Sequence, residues 1–315
     1  MFTLLSPTYI CEALACTPRG SLVVFTRDIT GKREIYISYP FSLHRVHSNI
    51  VIGHPIVQAA ITSDGLYIIH PGEICYYSDT ERIAHFPIRG DPISVLSVQD
   101  QAYVVLNRMA QWMIAAVKNN GDVHPVVGRE GEILTALPVA HSQNDNPVIW
   151  GVADRRKVTR IDLKQGSSEV VFELPQPHTA LSLAASETIL WVGSDHGTLW
   201  QIDVQSNREQ QVEVPWGSKP VHRLLSQREE VAAFVGHTPF KLYVRREGAR
   251  QFQPVLETNT TLSVACEEAF WFINHKGELV CSPLGIGGII NAEMYLRARN
   301  YLLWSRLLQS RRQLW

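Results

Sequence analysis

The sequence predicts an all-β fold in which seven similar sheets close a ring, followed by one C-terminal α-helix. Short runs rich in β-branched and aromatic residues alternate with polar turns. These runs recur about every 41 residues, which is the period of a four-stranded propeller blade. After Pro283 the alternation stops and an amphipathic helical pattern begins. The predicted fold class is therefore a seven-bladed β-propeller with an appended helix.

Each repeat contains a strand–turn–strand run, and the clearest is TILWVGSDHGTLWQIDV, which begins at Thr188. The equivalent runs begin at Ser21, Gly65, Ala102, Pro147, Val231 and Ala269. Helical-pair solenoids share this period. The segments here have the length and the β-branched and aromatic content of strands, which excludes a solenoid of helices.

Further strands surround each run. A strand precedes it, as at residues 55–61, and a looser strand often follows it, as at residues 169–174. This pattern predicts four strands per sheet, ordered from the inside of the ring to the outside. The seventh repeat has no obvious fourth strand after Cys281. We expect residues 2–5 to supply it, which would tie the two ends of the ring together.

The segment Leu190-Trp191-Val192-Gly193-Ser194-Asp195-His196-Gly197 resembles the strand–turn–strand core of sensor and quinoprotein-like propellers. The resemblance is to the seven-bladed β-propeller superfamily and covers residues 1–285. No repeat carries the Gly-His and Trp-Asp signatures of WD-repeat proteins together, because Trp-Asp does not occur in the sequence. The resemblance implies the fold and says little about function, because propellers host enzymes, scaffolds and receptors alike.

The predicted second unit, residues 286–315, is a glycine hinge followed by a helix. Asn291 is a candidate N-cap, and the helix is expected from Ala292 to about Arg312. Arg297 and Arg306 lie among its counter-charges. Its apolar stripe is formed by Met294, Tyr295, Ala298, Tyr301, Leu302, Trp304, Leu307 and Leu308.

Four interpretations of this helix remain open, and contact with nucleic acid through its five arginines is the least favoured of them. The helix docks into a groove of a partner protein, as apolar helical stripes often do. Alternatively, it packs across the propeller as a structural lid. A helix lying on a membrane surface also suits tryptophan and arginine. We assign the stripe and its arginines to partner binding.

Composition limits the classes of function. The net charge is -1, which argues against nucleic acid as a direct ligand. The sequence lacks an apolar run long enough to span a bilayer and a basic N-terminal region typical of a signal peptide. The five cysteines follow no disulfide or zinc spacing, so we expect buried thiols in a reducing compartment, the cytoplasm.

A few candidate catalytic residues lie at predicted turns. His196 and His237 fall at corresponding turns of adjacent repeats, and His275 falls at the turn of the seventh repeat. With Asp195, these side chains would form a site if they converged at the mouth of the central channel. The sequence contains no complete nucleotide, zinc or nucleophile-elbow motif, so we predict no cofactor and no metal.

The segment from Ser194 to Trp200 also resembles the Asp-box of sialidases, with its serine one place late. In that family the box stabilises a turn, so the resemblance supports a hairpin and not glycosidase activity.

A further expectation concerns the tryptophans. Trp112 and Trp216 depart from the strand pattern and are expected as exposed anchors of a contact surface. Those that fit the pattern are expected in the core, namely Trp150, Trp191, Trp200 and Trp271.

The function predicted from these patterns is a non-catalytic scaffold that binds one or more proteins of a multi-subunit complex. It would use the propeller faces and the C-terminal helix. The alternative is a propeller hydrolase or lyase, or a small-ligand sensor, with its site at the central channel. Converging titratable groups in a pocket would favour the alternative, whereas an apolar outer patch would favour the scaffold.

Overall fold

The computed structural model confirms a nearly all-β chain arranged as seven four-stranded sheets. The structure describes residues 9–17, 20–39, 42–45, 52–71, 73–78, 82–87, 90–120, 122–135, 138–143, 146–266, 268–285, 288–292 and 294–298. Every described sheet is antiparallel, and its strands follow one another in chain order.

The first four sheets occupy roughly the first half of the chain. The first sheet contains β1 (Tyr9–Cys16), β2 (Leu22–Asp28), β3 (Arg33–Tyr39) and β4 (Ser42–Arg45), and the second contains β5 (Gln58–Ile61), β6 (Leu66–His70), β7 (Glu73–Tyr77) and β8 (Arg82–Pro87). The third sheet contains β9 (Asp91–Val98), β10 (Gln101–Arg108), β11 (Gln111–Val117) and β12 (Val123–Glu130). The fourth contains β13 (Val139–Gln143), β14 (Asn146–Ala153), β15 (Lys157–Asp162) and β16 (Ser167–Glu173).

The last three sheets complete the ring, and a short helix α1 follows at residues 294–298. The fifth sheet contains β17 (Ala180–Ala185), β18 (Ile189–Ser194), β19 (Leu199–Asp203) and β20 (Glu209–Val212). The sixth contains β21 (Val221–Gln227), β22 (Glu230–Val235), β23 (Phe240–Arg245) and β24 (Gln253–Thr258). The seventh contains β25 (Ser263–Cys266), β26 (Ala269–Ile273), β27 (Leu279–Pro283) and β28 (Ile290–Asn291).

The first strands of neighbouring sheets contact one another around the whole ring, including β25 against β1. They therefore line the central channel, and each predicted strand–turn–strand run forms the second and third strands of its sheet. Second strands such as β22 and β26 are buried along their full length. This follows from their position, since each sheet packs between two others and both of its faces need apolar side chains.

The tryptophans test how well the strand pattern identifies the core. The four that fit it are buried as predicted. The prediction for Trp112 and Trp216 is wrong, because their side chains are 0% and 5% exposed. Trp112 packs between the third and fourth sheets. Trp216 lies in a loop that folds back onto the fifth sheet, where its indole N–H donates to the carbonyl oxygen of Gly197 at 2.8 Å.

The seventh sheet is completed from the C-terminal side. Strand β28 pairs with β27, with Ile290 opposite Cys281. The expectation that residues 2–5 supply this strand concerns residues outside the described ranges. Directly after β28 the chain enters α1, whose Tyr295 ring lies 5.6 Å from the ring of Trp271. Ala292, Tyr295 and Leu296 thus join the apolar cluster between the seventh and first sheets.

All five cysteines are free thiols, and four of them are buried as expected, while Cys16 is half-buried. Burial raises the pKa of the Cys11 thiol to about 12. Within the described residues, no helix has the length and apolar character that a membrane crossing requires.

The packing of α1 yields a first prediction. Tyr295→Ala should lower the free energy of unfolding by about 2–4 kcal/mol, because it removes a buried aromatic ring from the junction of the first and last sheets. Met294→Ala is the matched control, since Met294 is 66% exposed on the same helix and should change stability by less than about 0.5 kcal/mol. Urea denaturation measures both, and equal effects would contradict the packing of α1 against the ring.

Candidate functional site

The two faces of the ring are built from different connections. The turns between second and third strands lie at the same end as the loops that lead into the first strands. We call the face formed by these turns and loops the upper face. Loops that a rigid scaffold holds in place carry a disproportionate share of the binding residues of proteins, and their sequences are free to vary.

The upper face carries most of the large apolar side chains that are exposed. Eight such side chains occur among the described residues. Five of them lie on the upper face, between the first and fourth sheets, and these are Ile10, Ile29, Val57, Met109 and Ile133. Clustering of exposed apolar side chains on one side of a protein is typical of a contact surface.

Ile29 and Met109 are the most exposed members of this set. Ile29 is 79% exposed in the turn between β2 and β3, and Met109 is 93% exposed in the turn between β10 and β11. Met109 also has a positive φ of 55°. Such turn positions normally favour asparagine, aspartate or glycine. The stability of the fold therefore does not account for apolar side chains at these tips.

Histidines form pairs on the upper face of three sheets. In each pair, a histidine near the start of a first strand faces one at the turn between the second and third strands. His178 lies 5.4 Å from His196 in the fifth sheet, measured between ring centroids. The same arrangement joins His222 with His237 in the sixth sheet and His54 with His70 in the second, each at 6.0 Å.

Asp195 organises the turn of the fifth sheet. Its carboxylate accepts hydrogen bonds from the amide of Thr179 at 2.9 Å, from the Thr179 hydroxyl at 2.6 Å and from His196 at 2.8 Å. Desolvation opposes ionisation of Asp195, but these hydrogen bonds outweigh it and lower its pKa to about 2. The carboxylate is thus a permanent acceptor that fixes the turn to the loop before β17.

Within the described residues, two groups of side chains bring potential metal ligands together. The ligand atoms of His178, Asp195 and His196 lie within 4.8 Å of one another. His70, Glu73 and Cys75 form a second, largely buried group. Three nitrogen and oxygen ligands suit zinc in principle. In the first group, however, the Asp195 carboxylate already accepts two hydrogen bonds from Thr179. The structural role of Asp195 in holding the turn is therefore sufficient to explain the cluster.

The structure separates the four residues predicted for a channel-mouth site, and His275 is exposed in the turn between β26 and β27. Asp195 and His196 are in contact. The ring partner of His237 is His222, whereas that of His196 is His178. Sequence reasoning missed His178 and His222 because they lie in loops and at strand starts of variable spacing. Their signal was a histidine close to the start of a first strand in two consecutive repeats.

The predicted partner-binding residues separate into two groups on α1. Met294, Arg297 and Ala298 are exposed. Tyr295 is buried against the propeller, so the first turn of the helix packs within the chain. The other six lie outside the described residues, and these are Tyr301, Leu302, Trp304, Arg306, Leu307 and Leu308.

The turn at Gly197 offers a sharp test of how this face is built. Gly197 and Gly277 occupy the same place in the turns of the fifth and seventh sheets, with φ values of 79° and 78°. A Cβ atom on Gly197 would collide with the backbone of Gly217 and Lys219, whereas Gly277 has open space around it. The two positions thus differ only in what surrounds them.

Gly277→Ala should lower the free energy of unfolding by about 1–2 kcal/mol, the cost of a left-handed alanine. Gly197→Ala should lower it by at least about 2 kcal/mol more, because the loop around Trp216 must move away. Chemical denaturation of the two variants gives the difference. Equal losses would show that the loop does not rest on this turn.

The pair in the sixth sheet should respond to pH. Burial lowers the pKa of His222 below its ordinary 6.5, and His237 lowers it further, although the backbone of Gly236 partly opposes this. The Nε2 atom of His222 is buried without a hydrogen-bond partner among the described residues. The unfolded chain therefore gains a proton at a higher pH than the folded chain does, and stability falls as the pH drops below about 6.5.

We expect His222→Gln to reduce this loss of stability between about pH 6.5 and pH 5. His124→Gln is the control, because the side chain of His124 is 54% exposed on the outer strand β12. The measurement is the urea midpoint of each variant at several pH values. If His222→Gln keeps the pH dependence of the unaltered protein, His222 is not the responsible group.

Comparison with known proteins supports the fold alone. No protein-family profile matches the chain, and no curated protein matches it by sequence. The solved structures that resemble this chain include three propellers. YCF48 from Cyanidioschyzon merolae has a TM-score of 0.62 and 12% sequence identity, and the match covers 89% of this chain and 98% of YCF48. BamB from Moraxella catarrhalis has a TM-score of 0.55 and 13% identity, covering 86% of this chain and 84% of BamB, and Sqt1 from Saccharomyces cerevisiae has a TM-score of 0.54 and 9% identity, covering 88% of this chain and 94% of Sqt1.

Proposed function

We propose that the protein is a non-catalytic protein-interaction module, one subunit of a larger cytoplasmic assembly. The observation that carries this proposal is the set of exposed apolar side chains on the upper face, namely Ile10, Ile29, Val57, Met109 and Ile133. Their partner would be a protein surface with apolar side chains of its own.

The energetics favour the tips of the turns as the main contacts. Full burial of an isoleucine or methionine side chain contributes about 1.5–3 kcal/mol. Ile29 and Met109 have the most surface left to bury within this set. Because the turns are held by antiparallel strands on either side, little conformational entropy is lost when a partner covers them. A few such side chains are enough to dominate an interface.

The C-terminal helix would provide the second contact. Its first turn is anchored to the ring through Tyr295, and this leaves Met294, Arg297 and Ala298 facing outward. The residues from 289 onward include five arginines and one glutamate. A basic amphipathic helix fits an apolar groove with acidic residues at its rim. We therefore propose that one partner presents such a groove.

The upper-face contact can be tested by charge insertion. Ile29→Glu combined with Met109→Glu should abolish stable capture of partner proteins from a native lysate of the source organism, as read by mass spectrometry, because each change buries a charge in the interface. Val170→Glu is the matched control, since Val170 is 42% exposed on the outer strand β16. Loss of the same partners in the control, or in neither variant, would overturn this part of the proposal.

The helix contact calls for a different change. A chain that ends after residue 298 keeps β28 and the packed first turn, so its ring should stay as stable as that of the full chain. Partners that bind the helix should be lost from this shortened chain and retained by the Val170→Glu variant. If the shortened chain captures every partner of the full chain, residues 299–315 do not take part in docking.

A further inference from the structure

A cavity of about 180 Å³ lies at the upper end of the central channel. Its wall is made by the first strands of the first, second, third, sixth and seventh sheets and by the loops that lead into them. Among the described residues of this wall, Arg223 is the one that carries a charge, and the others are apolar or neutral polar. The cavity is therefore a mixed, mainly apolar pocket with one cationic group from the described residues.

Arg223 has no partner in the part of the chain that the structure describes. Neither a carboxylate nor a carbonyl oxygen accepts a hydrogen bond from its guanidinium there. Two other arginines with little exposure are paired: Arg33 donates to Glu12 at 2.6 Å, and Arg246 donates to Glu230 at 2.6 Å. Burial lowers the pKa of Arg223, but an arginine remains charged at neutral pH. Arg223 is partly buried, and a charge that has lost part of its contact with water is costly to leave without an anion, so its presence requires an explanation.

The backbone places this side chain in the channel. A β-bulge inserts His222 between Val221 and Arg223, since these two residues pair with the consecutive residues Val235 and Phe234. The same bulge occurs in β1, β9 and β17. Bulges re-aim the side chains beside them and are common next to functional sites. The residue that follows the bulge in those three strands is small, namely Ala13, Ser94 and Ser182.

Neutral donors complete the wall. The side-chain carbonyl of Gln58 accepts a hydrogen bond from the amide of Val95 at 3.2 Å, which leaves its NH₂ group as a donor. The hydroxyl of Thr261 is another donor in the wall. Of the acidic residues on the same inner strands, Glu12 is already held by Arg33 and by Arg27 at 2.9 Å. The pocket thus offers donors and a positive charge, and none of the described residues in its wall is a carboxylate that competes for them.

We propose that this cavity binds a small oxyanion, a phosphate or carboxylate group of a small molecule, with the Arg223 guanidinium as its principal ligand. Gln58 and Thr261 supply additional hydrogen bonds. A guanidinium matches both anions because its planar fork donates two parallel hydrogen bonds. The cavity holds the volume of about six water molecules, which suits a small molecule and not a folded segment of a partner. This site is inferred independently of the proposed docking function, although Val57 belongs to both surfaces.

Calorimetric titration of the full chain tests the site. The probes are inorganic phosphate and succinate, each at constant ionic strength, with potassium chloride as the blank. We expect one-to-one binding of at least one probe and a loss of affinity of at least about tenfold in Arg223→Met, the loss of one charge-assisted pair of hydrogen bonds. Arg108→Met removes the same charge from the exposed end of β10 and should bind as the unaltered protein does.

The two probes separate the possible sources of the anion. Binding of phosphate alone identifies a phosphorylated ligand, whereas binding of succinate alone identifies a carboxylate. Failure of both probes to bind at about 10 mM would overturn the proposal. Equal binding to the unaltered protein and to Arg223→Met would also overturn it, because it would place the anion elsewhere.

Stability without anions provides a second readout. If Arg223 serves a ligand, Arg223→Met should be at least as stable as the unaltered protein in anion-poor buffer, because an unpaired charge has been replaced by an apolar chain of similar length. A variant that fails to fold, or that unfolds at a markedly lower urea concentration, would show that Arg223 serves the fold, and this result would refute the proposal.

Discussion

The contact between the seventh and first sheets is the constraint on which the ring depends. Each sheet is apolar on both faces, so an open ring would expose one face at each end. Leu22 and Val24 of β2 meet Trp271 of β26 in a buried cluster at this junction. Tyr295 and Leu296 of α1 complete the cluster. Closure of the ring therefore depends on the segment that follows Pro283. The described part of that segment is a structural part of the propeller.

A buried carboxylate determines how the chain reaches that junction. Glu230, which is 1% exposed, accepts a hydrogen bond from Arg246 at 2.6 Å and another from the backbone N–H of Gly285 at 2.6 Å. Arg246 in turn donates to the hydroxyl of Ser282. Removing one partner from such a network leaves an uncompensated buried charge, which costs about 3–5 kcal/mol. The glycine turn after β27 is thus held by the sixth sheet, and β28 and α1 start from a fixed point.

The sequence was sufficient to predict the seven repeats, because strand length, β-branched residues and a regular period are properties of local sequence. It was insufficient for features that depend on neighbouring repeats. Strand β28 has two residues and leaves no periodic signal. The burial of Trp216 depends on a loop that folds back over another turn. Arg223 was missed because the bulge at His222 reverses the face of the sheet to which the following side chains point. The alternation of apolar and polar residues in the sequence does not show which residue of the strand is the inserted one.

The upper face and the channel cavity share one residue, Val57, which is both 54% exposed and part of the cavity wall. A protein that covers Val57 would also cover the mouth of the cavity and exclude water from Arg223. Exclusion of water strengthens the attraction between a guanidinium and an anion. Any such coupling is reciprocal, so a bound anion would raise the affinity for that partner by the same factor. A partner that inserted its own carboxylate would instead compete with the anion for Arg223. Tighter partner binding in the presence of the anion would therefore indicate a small-molecule site that the partner covers. Weaker partner binding would indicate a pocket that receives an acidic side chain of the partner.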